Sequence, residues 1–190
     1  MGNSDITRDK LIAAATQAFW EQGYSNTSLR KIAQVASVDV ALISRYFGGK
    51  LGLFKATLTT AFDWPELISP DKDPVEVVIG KYANPESDAH QTSVIRMIVM
   101  NANDPQVGEL VRQTLRNTLL DPLEVRIGGP QASTRLAMFV AVLVGASMVR
   151  QSLQLPGMAA VEPDVYARQL RHLVEAALHF DEEPEVSEQG

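Results

Sequence analysis

The chain has no cysteine, no long apolar run and no leader-like N-terminus. Because thiols are absent from its 190 residues, disulfides and thiolate metal sites are excluded. The longest apolar run, Leu136–Val149, has fourteen residues, whereas a membrane-spanning helix needs about 20. Residues 1–10 lack the apolar core of a secretory signal. These absences predict a soluble cytoplasmic protein that does not contact a membrane.

Catalytic and metal-binding patterns are also missing. The three histidines, His90, His172 and His179, show no metal-ligand spacing, and the last two lie two helical turns apart. The nucleophile-elbow, phosphate-loop and dinucleotide-binding motifs are absent. We therefore predict no cofactor, no metal and no enzymatic activity, with an all-helical enzyme as the least favoured alternative.

Hydrophobic periodicity predicts an all-α fold of about nine helices. We expect a helix-turn-helix domain at residues 1–50, with a fourth helix at about 49–62 as the connector. A helical-bundle domain that binds ligand and dimerises should follow at 51–180. The tail, 181–190, is acidic and poor in apolar residues, so we expect it to be disordered.

Proline positions mark the predicted helix ends. Asp73–Pro74 and Asp104–Pro105 each offer an N-cap followed by proline at the first helical position. Asp121–Pro122 should break or kink the seventh helix, because proline lacks the N–H that the helix requires. Residues 64–73 and 83–87 are expected to be loops.

Charge is divided unevenly along the chain. The net charge is −6, yet residues 1–55 contain seven basic and four acidic side chains. The remainder has ten basic and nineteen acidic side chains. A basic head on an acidic body is typical of a protein whose N-terminal part alone meets phosphates. Chance unevenness is the alternative explanation.

Two short helical patterns lie close together within residues 28–54. One face of the first is formed by Leu29, Ile32, Ala33 and Ala36. The second, residues 40–47, has Asp39 in front of it as a natural N-cap. With about three residues between them, the helices must cross sharply, as in a helix-turn-helix whose second helix enters the major groove of DNA. The predicted core that holds this helix consists of Leu11, Ala15, Phe19, Leu29, Ile32, Ile43, Phe47, Leu51 and Phe54.

The same region carries a specific set of residues. They are Phe19, Gly23–Tyr24, Thr27–Ser28, Arg30, Ile32–Ala33, Ala36–Val38, Tyr46–Phe47, Lys50 and Leu53–Phe54. In types and spacing, the stretch from Thr7 to about Leu58 resembles the DNA-binding domain of TetR-family transcriptional regulators. The remainder resembles the family only in its all-helical layout. The resemblance implies double-stranded DNA as a partner, a homodimer, and a C-terminal part that binds a small molecule.

Specific DNA contacts follow from the resemblance and from local chemistry. Lys50 begins the fourth helix, where free N–H groups and the helix dipole favour a phosphate. Arg30 can pair with guanine or with phosphate, or it can be a solvated surface arginine. The predicted DNA-contacting set is Thr27, Ser28, Arg30, Asp39, Val40, Ala41, Ser44, Arg45, Tyr46 and Lys50.

Three positions depart from the family pattern. Ser37 replaces a glycine that is common in the turn, and Leu51 stands where glutamate is frequent. Ser44 stands where tyrosine is usual, which removes a typical phosphate contact. A serine hydroxyl can still reach a phosphate or a base edge, but only over a shorter distance. Arg30 and Lys50 should therefore carry more of the anchoring.

The C-terminal helices suggest a ligand pocket and a dimer interface. Methionine and aromatic side chains can line an adaptable apolar pocket, although at helical spacing they are often simply core. The candidate pocket residues are Phe62, Trp64, Val94, Met97, Ile98, Asn101, Leu115, Leu119, Met138, Phe139 and Val142. The candidate dimer residues, which could instead pack within one subunit, are Ala137, Ala141, Gly145, Tyr166, Leu170, Leu173, Val174 and Ala177.

Two functional hypotheses follow. The favoured one is a dimeric DNA-binding regulator, a repressor released from a palindromic operator by a small apolar or amphipathic effector. The alternative is a helical ligand-binding or interaction protein that keeps the helix-turn-helix as a scaffold without specific DNA binding. Ser37 and Ser44 are the residues that keep this alternative open.

Overall fold

The computed structural model describes residues 3–62, 64–82 and 94–180, and these residues contain helices and no strand. The predicted all-α fold is thus confirmed. Residues 94–100 and 138–144 are helical as predicted, although β-branched residues are frequent there. The expected loop at 83–87, His90 and the acidic tail at 181–190 lie outside the described residues.

The N-terminal head contains four helices. They are α1 (Asn3–Gln22), α2 (Leu29–Ala36), α3 (Ala41–Phe47) and α4 (Lys50–Ala61). Their shared core is centred on Phe19, Ile43 and Phe54, each with 0% exposure. The ring of Phe54 meets those of Phe19 and Tyr24 edge-on at 5.2 Å between centroids. This cluster fixes α1, α3 and α4 relative to one another.

The predicted core is wrong at one position. Leu51 is 44% exposed, whereas Leu53 and Phe54 are fully buried. The reason is that α4 begins at Lys50. Its first positions, including Leu51, therefore face outward, and Leu53 and Phe54 face α1. Leu29 and Phe47, also predicted as core, are only half-buried and pack against the edge of the same cluster.

The body begins with two helices and a third whose described part is short. These are α5 (Pro65–Ile68), α6 (Pro74–Tyr82) and α7, described over residues 94–101. The predicted loop at 64–73 therefore contains one helical turn. Proline at the first helical position starts α5, and Asp73 accepts a hydrogen bond from the Val75 amide at 2.9 Å at the start of α6.

The predicted seventh helix is present but is not broken at Pro122. It runs as α8 (Gly108–Leu115), a π-helical segment (Arg116–Leu120) and α9 (Asp121–Ile127). The wider π turn lies just before Pro122, the residue that cannot donate a helical hydrogen bond. The helix begins at Gly108 rather than at Pro105, because Asp104 first caps the amides of a turn.

The C-terminal layer contains the longest apolar helix and its partner. It consists of α10 (Ala132–Ser147), a second π-helical segment (Met148–Ser152), α11 (Pro156–Ala159) and α12 (Pro163–Leu178). By length and composition alone, Ala132–Arg150 is one candidate membrane span, contrary to the estimate from the apolar run. In this fold the inner side of α10, including Phe139 and Leu143, packs in the core of the body.

Three arginines tie the helix ends of the body together. The guanidinium of Arg126 donates to the Leu67 carbonyl at 2.7 Å, and that of Arg135 to the Leu178 carbonyl at 2.8 Å. Arg150 donates to the Tyr82 carbonyl at 3.3 Å. Each acceptor lies at the last turn of a helix, where carbonyls lack helical partners and cations are favoured. The body is therefore locked by polar contacts outside its apolar core.

Candidate nucleic-acid interface and effector cavity

The outer side of α3 is a small exposed surface. Asp39 accepts a hydrogen bond from the Ala41 amide at 2.7 Å, which organises the first turn as predicted. Ile43 points inward with 0% exposure. The exposed residues on this side are Val40, Ala41, Ser44 and Arg45. The small side chains of Val40, Ala41 and Ser44 let the helix approach a surface closely, and Arg45 adds the positive charge.

Ser37 adopts the backbone conformation that a glycine would take in the turn. Its φ is 55° and its ψ is 45°, in the left-handed region, and its amide donates to the Gln34 carbonyl at 3.1 Å. Val38 donates to the Ala33 carbonyl at 3.0 Å. The turn thus keeps the hydrogen bonds that end α2, although a non-glycine residue in this region costs about 1 kcal/mol or more.

Thr27 does not lie on the exposed surface. Its side chain is 5% exposed, and its hydroxyl lies 2.7 Å from the Gly23 carbonyl and 3.2 Å from the Ala18 carbonyl, as a donor. This position corrects the expectation of a direct DNA contact, because the hydroxyl is used to join the end of α1 to the start of α2. Ser28 and Arg30, by contrast, are exposed.

A basic side chain that the sequence analysis missed lies beside the recognition helix. The guanidinium carbon of Arg8 is 5.4 Å from the centroid of the Phe47 ring, and that of Arg45 is 5.9 Å from the Tyr46 ring. Tyr46 is half-buried. The stacking places a cation from α1 next to the C-terminal end of α3. The sequence indicated this cation only through the basic charge of the N-terminal part, to which Arg8 contributes.

The side chain of Lys50 packs over an aromatic ring instead of extending freely into solvent, as a phosphate-binding lysine would. Its ammonium nitrogen lies 4.5 Å from the centroid of the Tyr24 ring. Burial lowers the pKa of the Lys50 ammonium, while the charge of Asp104 acts in the opposite direction. In this conformation Lys50 belongs to the junction between head and body. Phosphate binding by Lys50 stays a prediction and requires the side chain to leave the ring.

Asn101 forms the centre of this junction. Its side chain is 0% exposed, and its carboxamide oxygen accepts a hydrogen bond from the Tyr24 amide at 2.7 Å. Its amide nitrogen donates to the carbonyls of Phe19 at 3.1 Å and Met97 at 2.9 Å. The end of α7 is thereby joined to the end of α1. This contradicts the predicted pocket role of Asn101, because its polar atoms face the head.

A second polar contact at the junction joins Ser25 to Asp104. The Ser25 hydroxyl and amide donate to one carboxylate oxygen at 2.5 and 3.3 Å. The other oxygen accepts from the amides of Gln106 and Val107 at 2.9 and 3.2 Å. Desolvation raises the pKa of the Asp104 carboxyl, but these hydrogen bonds outweigh it and hold the pKa below its ordinary value.

This depressed pKa gives a prediction for stability against pH. A carboxyl whose pKa is lower in the folded state stabilises the fold above its unfolded pKa and loses that contribution as the pH falls. We expect Asp104→Asn to be less stable than the parent at pH 7, with the difference shrinking below about pH 4. Urea unfolding of both proteins from pH 7 to pH 3 measures it; a difference independent of pH would exclude an ionic role for Asp104.

A narrow cavity of about 60 Å³ lies in the body beneath α10. Seven of the eleven predicted pocket residues line it, namely Phe62, Trp64, Val94, Ile98, Leu115, Leu119 and Phe139. The other four do not line this cavity. Met97 packs into the core of the head, and Asn101 forms hydrogen bonds with the backbone of the head. Met138 and Val142 line an outer groove between α10 and α12. Helical spacing cannot distinguish these directions.

The predicted dimer residues divide into two groups. Tyr166, Leu170 and Val174 are at most 3% exposed and pack in the core of the body, so their assignment to an interface is wrong. They face inward because α12 packs this stripe against α10. The exposed or half-exposed residues that remain are Ala137, Ala141, Gly145, Leu173 and Ala177. Together with Met138 and Phe180, 56% and 59% exposed, they form an apolar outer face.

An exposed recognition helix on a compact helical head defines a helix-turn-helix DNA-binding protein. The model of the tetR family of bacterial regulatory proteins matches residues 11–57. The model described as the tetracyclin repressor-like C-terminal domain matches residues 76–178. The chain belongs to the TetR family of transcriptional regulators.

Curated relatives are regulators and not enzymes. The chain is 44% identical over 57 residues to "Probable HTH-type transcriptional regulator YttP" of Bacillus subtilis, a match covering 30% of this chain and 28% of the relative. It is 28% identical over 114 residues to the HTH-type transcriptional regulator BetI of Burkholderia thailandensis, covering 60% and 53%. The matches therefore span about a quarter to a half of these relatives.

Solved structures share the fold over nearly the whole chain. A TetR-family regulator from Streptomyces coelicolor has a TM-score of 0.61 at 25% identity, with 94% of this chain and 97% of that chain covered. NalD of Pseudomonas aeruginosa, the secondary repressor of the MexAB-OprM multidrug efflux pump, has a TM-score of 0.65 at 18% identity, with 92% and 98% covered. At that identity NalD supports the fold alone.

Proposed function

We propose that this protein is a cytoplasmic, homodimeric repressor that leaves a palindromic operator when a small apolar or amphipathic molecule enters the body. The observation that carries the proposal is the dual position of α7. Its Val94 and Ile98 line the cavity, and its Asn101 holds the head. A ligand that moves α7 therefore acts on α1 without touching it.

The proposed DNA surface consists of the exposed groups of the head. Arg45 and Ser44 lie on the outer side of α3, and Arg30 lies at the start of α2. Arg8 adds a cation at the end of α3. These side chains would contact phosphates and base edges in the major groove. The full proposed set is Arg8, Ser28, Arg30, Asp39, Val40, Ala41, Ser44, Arg45, Tyr46 and Lys50.

The proposed dimer uses the outer face of α10 and α12. Ala137, Ala141 and Gly145 are exposed at four-residue spacing, so another helix can approach the backbone of α10 closely. Leu173 on the neighbouring helix α12 is 51% exposed, and Phe180, just beyond the end of that helix, is 59% exposed. Two copies of this face related by a two-fold axis would form a four-helix interface. The two heads would then read two half-sites of a palindrome.

The proposed switching mechanism is a population shift. The hydrogen bonds of Asn101 and Asp104 define one arrangement of head and body. In a dimer, that arrangement sets the distance between the two recognition helices. A ligand that binds better to an arrangement with a displaced α7 draws the population away from the DNA-binding one. Its effect cannot exceed its difference in affinity for the two states.

DNA binding tests the proposal directly. Fluorescence anisotropy at moderate salt should show tighter binding to the protein's own upstream DNA than to random duplex of equal length. Sedimentation should show a dimer, and two protomers per operator. Equal affinity for both duplexes would instead support the alternative, in which the helix-turn-helix is only a scaffold.

Arg45 gives a quantitative prediction for this assay. Each phosphate contact contributes about 0.9 to the slope of log K against log salt. Arg45→Ala should therefore lower that slope by about 2 per dimer and weaken binding to all duplexes, if its contact is to phosphate. Lys72→Ala removes an exposed body lysine paired with Glu66 and should leave the slope unchanged.

Lys50→Ala belongs in the same titration. If Lys50 leaves the Tyr24 ring to bind phosphate, its removal lowers the slope by the same amount. If Lys50 stays at the junction, the slope is retained and stability changes instead. An unchanged slope in Arg45→Ala would remove Arg45 from the proposed phosphate contacts, whatever Lys50 does.

A further inference from the structure

The side chains that line the cavity in the body are almost all apolar. The described residues that line it include Phe62, Ile98, Leu119 and Phe139, and none of the lining residues carries a charge. Among the described lining residues, the only polar side-chain groups are the indole nitrogen of Trp64 and the phenol of Tyr82. An ion placed here would lose its hydration and gain no counter-charge, so its binding is disfavoured.

One polar group continues the lining surface of α10. Ser147 lies one helical turn beyond Leu143, which lines the cavity, and is 3% exposed. Its hydroxyl has no hydrogen-bond partner among the described residues. A helical serine can bond to the carbonyl four residues earlier, and a buried hydroxyl without a partner destabilises the fold. A ligand with one acceptor or donor could recover that energy.

Arg150, in the π-helical segment that follows α10, is already engaged. Arg150 donates to the Tyr82 carbonyl at 3.3 Å, and its guanidinium carbon lies 4.4 Å from the centroid of the Tyr166 ring. It therefore closes the C-terminal end of α6 and stacks on α12. Drawing it into the cavity to meet a carboxylate would break both contacts. The structure thus favours a ligand without charge.

The cavity must also expand to hold a ligand. Its 60 Å³ corresponds to about two water molecules, whereas ligand pockets have about 300–1,000 Å³. Leu119 and Leu120 form part of its wall and lie in the π-helical segment Arg116–Leu120. A π turn holds one residue more than an α turn and frequently marks functional sites. Return of this segment toward α-helical winding would turn these leucines and enlarge the cavity.

We propose that the effector is an uncharged, largely apolar molecule with a single hydrogen-bonding group, and that it widens the narrow cavity by moving the wall at Leu119 and Leu120. This rests on the proposed function, because the same cavity touches α7. Ser147 serves as the polar anchor. Cations and carboxylates of the same size are excluded by the cost of losing their hydration.

Calorimetric titration with four naphthalene derivatives tests the charge requirement. The probes are naphthalene, 2-naphthol, 2-naphthoate and 2-naphthylmethylammonium, at pH 7 with the full chain. We expect 2-naphthol to bind most tightly, and both ions to bind at least about tenfold more weakly than 2-naphthol. Tighter binding of naphthoate would overturn the proposal and identify Arg150 as a counter-charge; tighter binding of the ammonium would also overturn it.

Two variants locate the binding. Val144→Phe fills the cavity wall and should abolish 2-naphthol binding. Ser147→Ala should bring 2-naphthol down to the affinity of naphthalene and leave naphthalene unchanged. Binding that survives Val144→Phe, in a variant with parental circular dichroism, places the probe elsewhere and refutes the site.

DNA binding separates this inference from the function on which it rests. If the protein binds its operator but none of the naphthyl probes, only the inference about the effector is refuted. A protein that binds 2-naphthol as predicted but reads no DNA has lost the proposed function, while the cavity assignment stands. Release from the operator by 2-naphthol, and not by naphthoate, satisfies both.

Discussion

Replacing Asn101 by leucine should lower the free energy of unfolding by about 3–5 kcal/mol. The side chain is fully buried, and the substitution removes three hydrogen bonds while preserving its approximate volume. The Tyr24 amide would be left without a partner beside an apolar side chain, at about 1–3 kcal/mol, whereas the Phe19 carbonyl keeps its hydrogen bond from the Gly23 amide at 3.1 Å. The lost hydrogen bonds to the Phe19 and Met97 carbonyls add about 0.5–1.5 kcal/mol each, so the sum of about 2–6 kcal/mol brackets the expected loss.

Equilibrium urea unfolding measures this effect, and Asn26→Ala is its control. Asn26 is exposed and makes one hydrogen bond to the Gln22 carbonyl, so its loss should cost less than about 1 kcal/mol. Asn101→Leu should also weaken the effect of any effector on DNA affinity, because the contact between α7 and α1 is gone. A loss of stability no larger than in the control would show that Asn101 does not hold the head.

The head could be predicted from the sequence because its signals are local. The N-cap at Asp39 and the apolar spacing of α2 require only neighbouring residues, and both are present in the structure. Thr27 and Leu51 could not be placed in this way. Whether a side chain faces DNA or the core depends on how the start of each helix is turned relative to α1, which local patterns do not contain.

The body was harder to predict because α12 is apolar over a wide arc. Tyr166, Leu170 and Val174 form the buried centre of this arc, and Leu173 and Ala177 form its edge. The sequence indicates that this stripe of α12 is buried, but it does not indicate whether α12 packs against α10 of the same chain or against a second chain. The burial of Asn101 could have been predicted from the sequence. Asn101 continues the inward stripe of Val94, Met97 and Ile98, so its polar group had to be buried there.

Gly52→Ala should be among the most damaging single substitutions in the head, although alanine is the better helix former. A Cβ at position 52 would lie 1.7 Å from the carbonyl oxygen of Phe47 and 2.9 Å from its carbonyl carbon. Both atoms belong to the backbone at the end of α3, so no side-chain rotation can relieve the clash. We expect a loss of about 3 kcal/mol or more, since the recognition helix or α4 must shift.

Gly80→Ala is the matched control, because it makes the same change in a helix where the space is open. Gly80 lies in α6, and among the described residues no atom outside its own helix turn and chain neighbours lies within 4 Å of the point that an alanine Cβ would occupy. Alanine there should raise the free energy of unfolding by about 0.5–1 kcal/mol, as expected for glycine replaced in an exposed helix. The two substitutions should therefore change stability in opposite directions. Operator affinity should fall only in Gly52→Ala, because its clash displaces α3, which presents Ser44 and Arg45. Equal, small effects in urea unfolding would mean that α3 and α4 are not packed as closely as the Phe47–Gly52 contact requires.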